Sequence, residues 1–537
     1  MNRKLILISF LLFTVTFNVV AQNFNITNER TFSSLFNQNI DTLENFHTSI
    51  RPFYKNEIGN HDSLMGLLDI KSESKFVSAI FNYGKVTAYE KKIAFELSPI
   101  INAGIMMEKS ELVSQSLPEL AVGLSLDGNV GKKWSSQFVF LADYSKYPSH
   151  VDAMVQSKNI SPGYGYSKDG KAFYGQGNIT FTADENFTFQ LGYGKNFIGD
   201  GYRSLFLSDH ANSYPYLKVT ANIWKLKYMA LYTNYQDIRG SDGNMKDYFQ
   251  KLSTVHYLSL NIAKWWNIGL FESIIWQSQE DDFYRGYDIN YFNPVLFLRP
   301  TEYSQGSSDN ALLGGSMKFK IRKKNILYGQ LILDEFKLNE LQAGTGWWAN
   351  KYGYQFGFKS YDFLWVKNLS LQLEYNMVRP FTYSHSYTPT SISTLQNYAH
   401  FNSPLAHPLG ANFNEAVAGL TYHKKRWIIE GLATSAKIGL DTSSTTSVGQ
   451  DVYISNQNRP LDDNGKVIDY GYFTTQGLTT DIINSTLKIS YVINPKSQLI
   501  FQVGVTNRTY KNSIETSSTN MFFVGIKTSI TNRYFDF

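Results

Sequence analysis

Apolar and polar residues alternate with a period of two in many short segments of this chain. In "NLSLQLEYN", Leu369, Leu371, Leu373 and Tyr375 fall on one face, and Ser370, Gln372, Glu374 and Asn376 on the other. "YLKVTANIW" sets Leu217, Val219, Ala221 and Ile223 against Lys218, Thr220 and Asn222. "IFQVGVTN" sets Phe501, Val503 and Val505 against Gln502, Gly504 and Thr506. Such alternation predicts β-strands with one greasy face and one face that tolerates water. A soluble sandwich shares the pattern, so the connections between strands have to decide.

Those connections follow a rhythm. Tight turns are predicted near Gly128–Gly131, Ala183–Asn186, Trp224–Lys225, Lys264–Trp265, Arg322–Asn325, Leu364–Lys367, Lys424–Arg426 and Asn494–Lys496. Between them lie long connections at Ser145–Lys171, Phe197–Tyr214, Ile238–Lys251, Ser278–Asn310, Asn339–Asn350, Thr382–Asn414 and Gly439–Ile483. Strands that cross a membrane as a closed ring put successive connections on opposite faces, short turns in the periplasm and long loops outside. The predicted fold is all-β: a transmembrane antiparallel β-barrel of about 18 strands over residues 86–537, with outer loops folded inward. Trp134, Trp224, Trp265, Trp266, Trp365 and Trp427 all fall beside short turns, where an interfacial girdle would lie. Phe537 closes the sequence "TNRYFDF" and is expected at the end of the final strand, like the terminal signal of outer-membrane proteins.

The start of the chain supports export. Arg3 and Lys4 precede an apolar run from Leu5 to Val20, and Val19 and Ala21 suit cleavage before Gln22, so residues 1–21 read as a signal peptide. Residues 22–85 lack strand alternation. Phe32, Leu35, Phe36, Ile40, Leu43 and Phe46 follow helical spacing, which predicts a small, partly helical periplasmic segment under the barrel. With no cysteine, the chain has neither disulfides nor a lipid anchor on cysteine. Aromatic residues reach 15% while charged ones are only 18%, a balance that favours a membrane barrel over a secreted enzyme. A net charge of +5, spread along the chain, is too weak to indicate nucleic acid.

One stretch, "LGYGKNFIGDGYRSLFLSDHANSYPYLK", invites a phosphate-binding interpretation. The spacing excludes it: Lys195 precedes Gly199, and no hydroxyl residue follows the lysine directly. The stretch instead resembles the signature of the capsule-assembly Wzi family and of its RemB-type gliding-motility relatives in Bacteroidota. "NPVLFLRPTEYSQGSSDNALLGG" (Asn293–Gly315) and "RPFTYSHSYTPTSISTLQNYAHFNSPLAHPLGANFNE" (Arg379–Glu415) are similar to that family as well. The resemblance implies an outer-membrane barrel of about 18 strands that holds or organises polysaccharide at the cell surface, with a short periplasmic helical part that this sequence matches only partly.

Candidates for lumen packing or ligand contact on these three loops are Lys195, Asp200, Tyr202, Arg203 and Asp209; Arg299, Asp309 and Asn310; and Arg379, Tyr383, His385, His400, His407 and Asn412. Gly199 and Gly201 permit a tight corner, after which Arg203 stands near Asp200 and Asp209 for a local ion pair that pins a folded plug. Pro380, Pro389, Pro404 and Pro408 give the 379–415 loop a fixed shape, packed beside the other two. Its histidines match no zinc spacing, and no metal or cofactor is expected. Trp347 and Trp348 form an exposed aromatic pair on a further loop, and Tyr164 and Tyr166 another, suited to sugar rings or to the outer girdle. Arg203, Arg299 and Arg379 offer bidentate contacts to the carboxylates of an acidic polysaccharide, or internal salt bridges to Asp200, Glu302 or Asp309.

No GxSxG stretch or other nucleophile constellation stands out, so the expectation is a non-enzymatic protein of the outer membrane. Its expected partners are cell-surface polysaccharide and outer-membrane lipid, for capsule organisation or gliding motility. The rivals are a solute pore and a structural partner of an envelope motility or secretion machine.

Overall fold

The computed structural model describes residues 24–537 except 59–60, 71, 73, 75–76, 79–80, 83–85, 91–92, 169–170, 242, 281–282, 294–308, 387–393 and 444. The predicted signal peptide and most of the 293–315 loop, Arg299 included, lie outside the described residues.

Antiparallel strands close into one 18-membered ring. In order they are β1 (Ile93–Lys109), β2 (Ser114–Val130), β3 (Trp134–Asp143), β4 (Lys171–Thr182), β5 (Phe187–Gly194), β6 (Tyr214–Ile223), β7 (Leu226–Asp237), β8 (Phe249–Ala263) and β9 (Trp266–Gln277). The second half comprises β10 (Asn310–Ile321), β11 (Asn325–Leu333), β12 (Tyr352–Tyr361), β13 (Leu369–Val378), β14 (Phe413–Lys424), β15 (Trp427–Leu440), β16 (Leu478–Asn494), β17 (Leu499–Lys511) and β18 (Thr516–Thr528). Closure is between β18 and β1, from Asn520 opposite Lys109 to Lys527 opposite Asn102. A closed ring leaves no unpaired edge, which is what strands in lipid require.

The period-two faces emerge as read. Leu373, Tyr375, Phe501 and Val505 are exposed on the outside of the ring, while Glu374 and Asn376 point inward and are buried. The seven long connections gather at one end and the tight turns at the other. Two connections at the long-loop end, 110–113 and 512–515, are themselves short. The first tight turn lies at 131–133, beyond the predicted Gly128–Gly131, because Gly128 belongs to β2: a Cβ there would stand 2.9 Å from the Phe95 ring. Trp134, Trp224, Trp265, Trp365 and Trp427 are exposed around the short-turn end. Among the described residues no helix is long and apolar enough to cross a membrane.

Protein fills much of the lumen. The helical spacing near the start becomes α1 (Arg30–Thr42), whose Phe32, Phe36 and Ile40 pack against the inward side chains Ile428, Val492 and Ile500 near the short turns. From the long-loop end, residues 195–213, 379–386 and 394–412 fold back into the barrel, and Phe206 stacks on the wall residue Phe271 with ring centroids 4.6 Å apart.

Phe537 departs from expectation. The last strand ends at Thr528, and residues 529–537 turn back into the lumen. As a lipid-facing strand this segment would desolvate Arg533 and Asp536; inside, Arg533 meets Glu119 at 3.3 Å and Asp536 meets Arg203 at 3.0 Å.

Candidate functional site

The glycine corner of the 195–213 loop lies inside the barrel, against its wall. Gly201 lacks a Cβ that would sit 2.4 Å from the Glu374 carboxylate, so the backbone reaches the wall closely enough for the amides of Tyr202 and Arg203 to donate to Glu374 at 2.7 and 2.9 Å. The Arg203 guanidinium, 1% exposed, donates to Glu415 of β14 at 2.8 Å and to Asp536 of the returning segment at 3.0 Å. His407 Nε2 lies 2.7 Å from the same Glu415 carboxylate. One knot thus ties two long loops, the barrel wall and the last residues together. Burial alone would lower the Arg203 pKa, but Asp536 and Glu415 raise it well above its ordinary value. Burial pushes His407 down against the pull of Glu415, and pushes His400 down to about 3.

The expected pairing of Arg203 with Asp200 and Asp209 is therefore corrected. Asp200 instead accepts from Thr48 and from Lys318 of β10 (3.4 Å), and Asp209 accepts from Asn532 (2.8 Å) and Tyr534 (2.6 Å). The long-range partners win because the returning segment brings its own donors and acceptors into the lumen, which loop spacing does not reveal.

The other candidates are drawn into the same packing. Lys195 donates to the carbonyls of Gly163 (3.0 Å) and Asp209 (3.3 Å), and the Tyr202 hydroxyl donates to Asp536 at 2.9 Å. Asp309 accepts from Arg285 and Tyr291, and Asn310 donates to the Gln396 carbonyl at 3.0 Å. Tyr383 donates to the Leu205 carbonyl at 2.8 Å, His400 accepts the Gln236 amide, and Asn412 bridges Gly439, Gln476 and Thr475. The Tyr383–Leu205 contact, with the Ser208 amide donating to the Leu405 carbonyl at 2.8 Å, joins the 195–213 loop to the 379–412 loop, as the sequence anticipated.

Arg379 is buried and donates to the Tyr472 and Trp347 carbonyls, so it is not presented to a ligand at the surface. Trp347 and Trp348 are half-buried, not exposed, because the 441–477 loop folds over them: Arg459 lies 3.9 Å from the Trp348 ring centre. Tyr164 is buried and Tyr166 half-buried, so that pair is split. His385 meets Asp334 and Glu335 with donor atoms all within 4.8 Å, a set of possible metal ligands. Lys351 already places an ammonium 3.0 Å from Glu335 there.

What faces solvent is elsewhere. A cleft of about 1140 Å³ opens at the long-loop end between β2, the start of β4, residues 144–167 and their helix α2 (Ser149–Lys158). Tyr144 and Tyr166 supply rings to it, with the buried Tyr147 beneath them, and Lys146, Asp152, Gln156, Asn159 and Lys171 supply polar groups. Of these only Tyr166 was singled out from sequence. Lys146, Gln156, Asn159 and Lys171 are exposed, and Gln156 donates to Asp152 at 2.6 Å.

No protein-family model matches the chain, and no curated protein does. Its fold is similar to that of Wzi from Escherichia coli, an outer-membrane protein involved in group 1 capsule assembly and described as a carbohydrate-binding β-barrel. The TM-score is 0.52 at 12% identity, over 94% of this chain and 98% of that one. OpdL and OprD of Pseudomonas aeruginosa align over 80% and 83% of this chain and 98% and 97% of their own, with TM-scores of 0.42 and 0.40 at 8% and 9% identity. The likeness to Wzi establishes architecture: this is a closed 18-strand barrel built like an outer-membrane protein.

Proposed function

We propose that this protein resides in the outer membrane and holds polysaccharide at its long-loop mouth, without catalysing a reaction. The observation that carries this is the solvent-facing cleft, which offers tyrosine rings to sugar faces and amide, carboxylate and ammonium groups to sugar hydroxyls and acids. The fold it shares with a carbohydrate-binding barrel supports the same role. So does the knot at Arg203, which spends the barrel interior on fixing loops. The polysaccharide is surface material of the kind used in capsule organisation or gliding motility.

A solute pore is the second possibility, favoured by two luminal cavities of about 240 and 140 Å³ that share Tyr202 and Leu432.

The test uses the deletion strain, complemented with the protein or with Tyr144→Ala/Gln156→Ala/Lys171→Ala, scored for cell-bound against shed polysaccharide. The expected outcome is shedding in the deletion strain, rescue by the protein, and failed rescue by the triple variant at equal outer-membrane abundance. An unchanged ratio in the deletion strain rejects the proposal.

A further inference from the structure

The short-turn end carries a charge pattern that neither the plug nor the cleft uses. Every tight turn except 183–186 contains a lysine or arginine. They are densest along one arc formed by turns 322–324, 362–368 and 425–426, where Arg322, Lys323, Lys367, Lys424 and Lys425 are all exposed. Arg322, Lys323 and Lys425 have φ of 49°, 63° and 55°. Glycine or asparagine would occupy such left-handed positions at less cost, so something other than turn geometry accounts for the cations.

Asp69 faces the inward-turned Arg426, and two further acids near the arc are already engaged. Asp362 accepts from Lys324 at 2.5 Å, from Gln38 at 3.2 Å and from the Asn368 amide at 2.7 Å, and Glu44 pairs with Lys264 at 2.7 Å. Arg426 turns inward to the carbonyls of Leu68 and Ile493, leaving its two lysine neighbours facing solvent.

In the middle of the arc stands an apolar knuckle. Leu364 and Trp365 are 63% and 94% exposed and have φ of 51° and 62°, a conformation bulky residues rarely adopt. The strap from Asp362 to Asn368 fixes the knuckle with its ring held away from the barrel. Tryptophan at this level continues the girdle of Trp427 and Trp265, and lysines beside such a girdle meet lipid headgroups.

Building on the outer-membrane placement proposed above, we infer that this arc binds the phosphate headgroups of anionic phospholipid in the inner leaflet, with Trp365 seated among the headgroups. Charge complementarity and continuity with the girdle favour lipid over an acidic periplasmic protein.

The test is quenching of Trp365, taken as the difference between the full chain and Trp365→Phe, in vesicles containing brominated phosphatidylglycerol or brominated phosphatidylethanolamine. The expected result is about threefold stronger quenching by the anionic lipid, collapsing at high salt. The preference vanishes when Arg322, Lys323, Lys367, Lys424 and Lys425 are all changed to glutamine and survives when the four lysines become arginine. Equal quenching by both lipids, no quenching by either, or a preference that persists in the glutamine variant overturns the inference. The salt dependence of the unaltered protein decides the matter should the glutamine variant misfold. Cell fractionation reads the placement separately: a protein present in the outer-membrane fraction but lacking the lipid preference defeats only this inference, and one absent from that fraction defeats both.

Discussion

Arg203 and Glu415 are 212 residues apart in sequence and 2.8 Å apart in space, each almost wholly buried. A buried ion pair contributes little over an apolar replacement, but removing one partner strands the other charge, at a cost of about 3–5 kcal/mol. Arg203→Met is therefore expected to lower the unfolding midpoint of the detergent-solubilised barrel sharply, with Arg203→Lys intermediate because it keeps charge without the fork. Heat-modifiable gel migration measures both. A midpoint for Arg203→Met equal to that of the parent would show that the knot does not hold the lumen together.

Deleting 529–537 is expected to leave the ring intact, because β18 completes its pairing with β1 by Lys527. The lumen loses Asn532, Tyr534 and Asp536, which hold Asp209 and Arg203. Conductance in planar bilayers is expected to rise from small or absent openings to steady ones. Large steady openings in the undeleted protein would instead favour the pore.

The N-terminal plug is expected to loosen in acid. Burial would raise the Asp41 pKa, but Lys359 and a hydrogen bond from Tyr361 hold the carboxyl down at about 2. Burial and the charges of Lys227 and Lys318 hold His47 down at about 3. Both groups bind protons more readily once released, so their contribution is full at neutral pH. It falls as pH drops below about 6.5 for His47 and below about 4 for Asp41, and is gone once pH passes their folded values near 3 and 2. Hydrogen exchange of residues 30–58 against pH measures this, and His47→Gln is expected to remove the upper part of the transition only.

The wall of this protein was legible in its sequence, and the lumen far less so. Period-two alternation put Leu373 and Tyr375 outside and Glu374 and Asn376 inside because side-chain direction along a strand is fixed locally. That Glu374 would accept the Tyr202 and Arg203 amides depends on a loop folding back across the barrel, which no local period encodes. Phe537 misled for the same reason: an aromatic end looks like a final strand until Asn532 and Asp536 find partners inside. The cleft was missed because Tyr144, Gln156 and Lys171, spread along one long connection, are brought together by its fold and its helix α2 and by no local period.

Glycine on the inner wall gives the sharpest test of how the plug is held. Gly357 on β12 lies directly between Tyr328 on β11 and Glu374 on β13. A Cβ at Gly357 would stand 2.0 Å from the Tyr328 ring, so the bare backbone is what lets that ring cross and donate to Glu374 at 2.8 Å. Gly357→Ala must displace the ring, at about 1–3 kcal/mol, and with it the carboxylate that seats the 195–213 loop. Gly431 on β15 has nothing within 4 Å of its would-be Cβ and no positive φ, so Gly431→Ala is expected to be silent. Amide exchange at residues 202–207 is expected to speed up in the first variant and stay unchanged in the second; equal exchange in the two would mean that Glu374 does not anchor the loop.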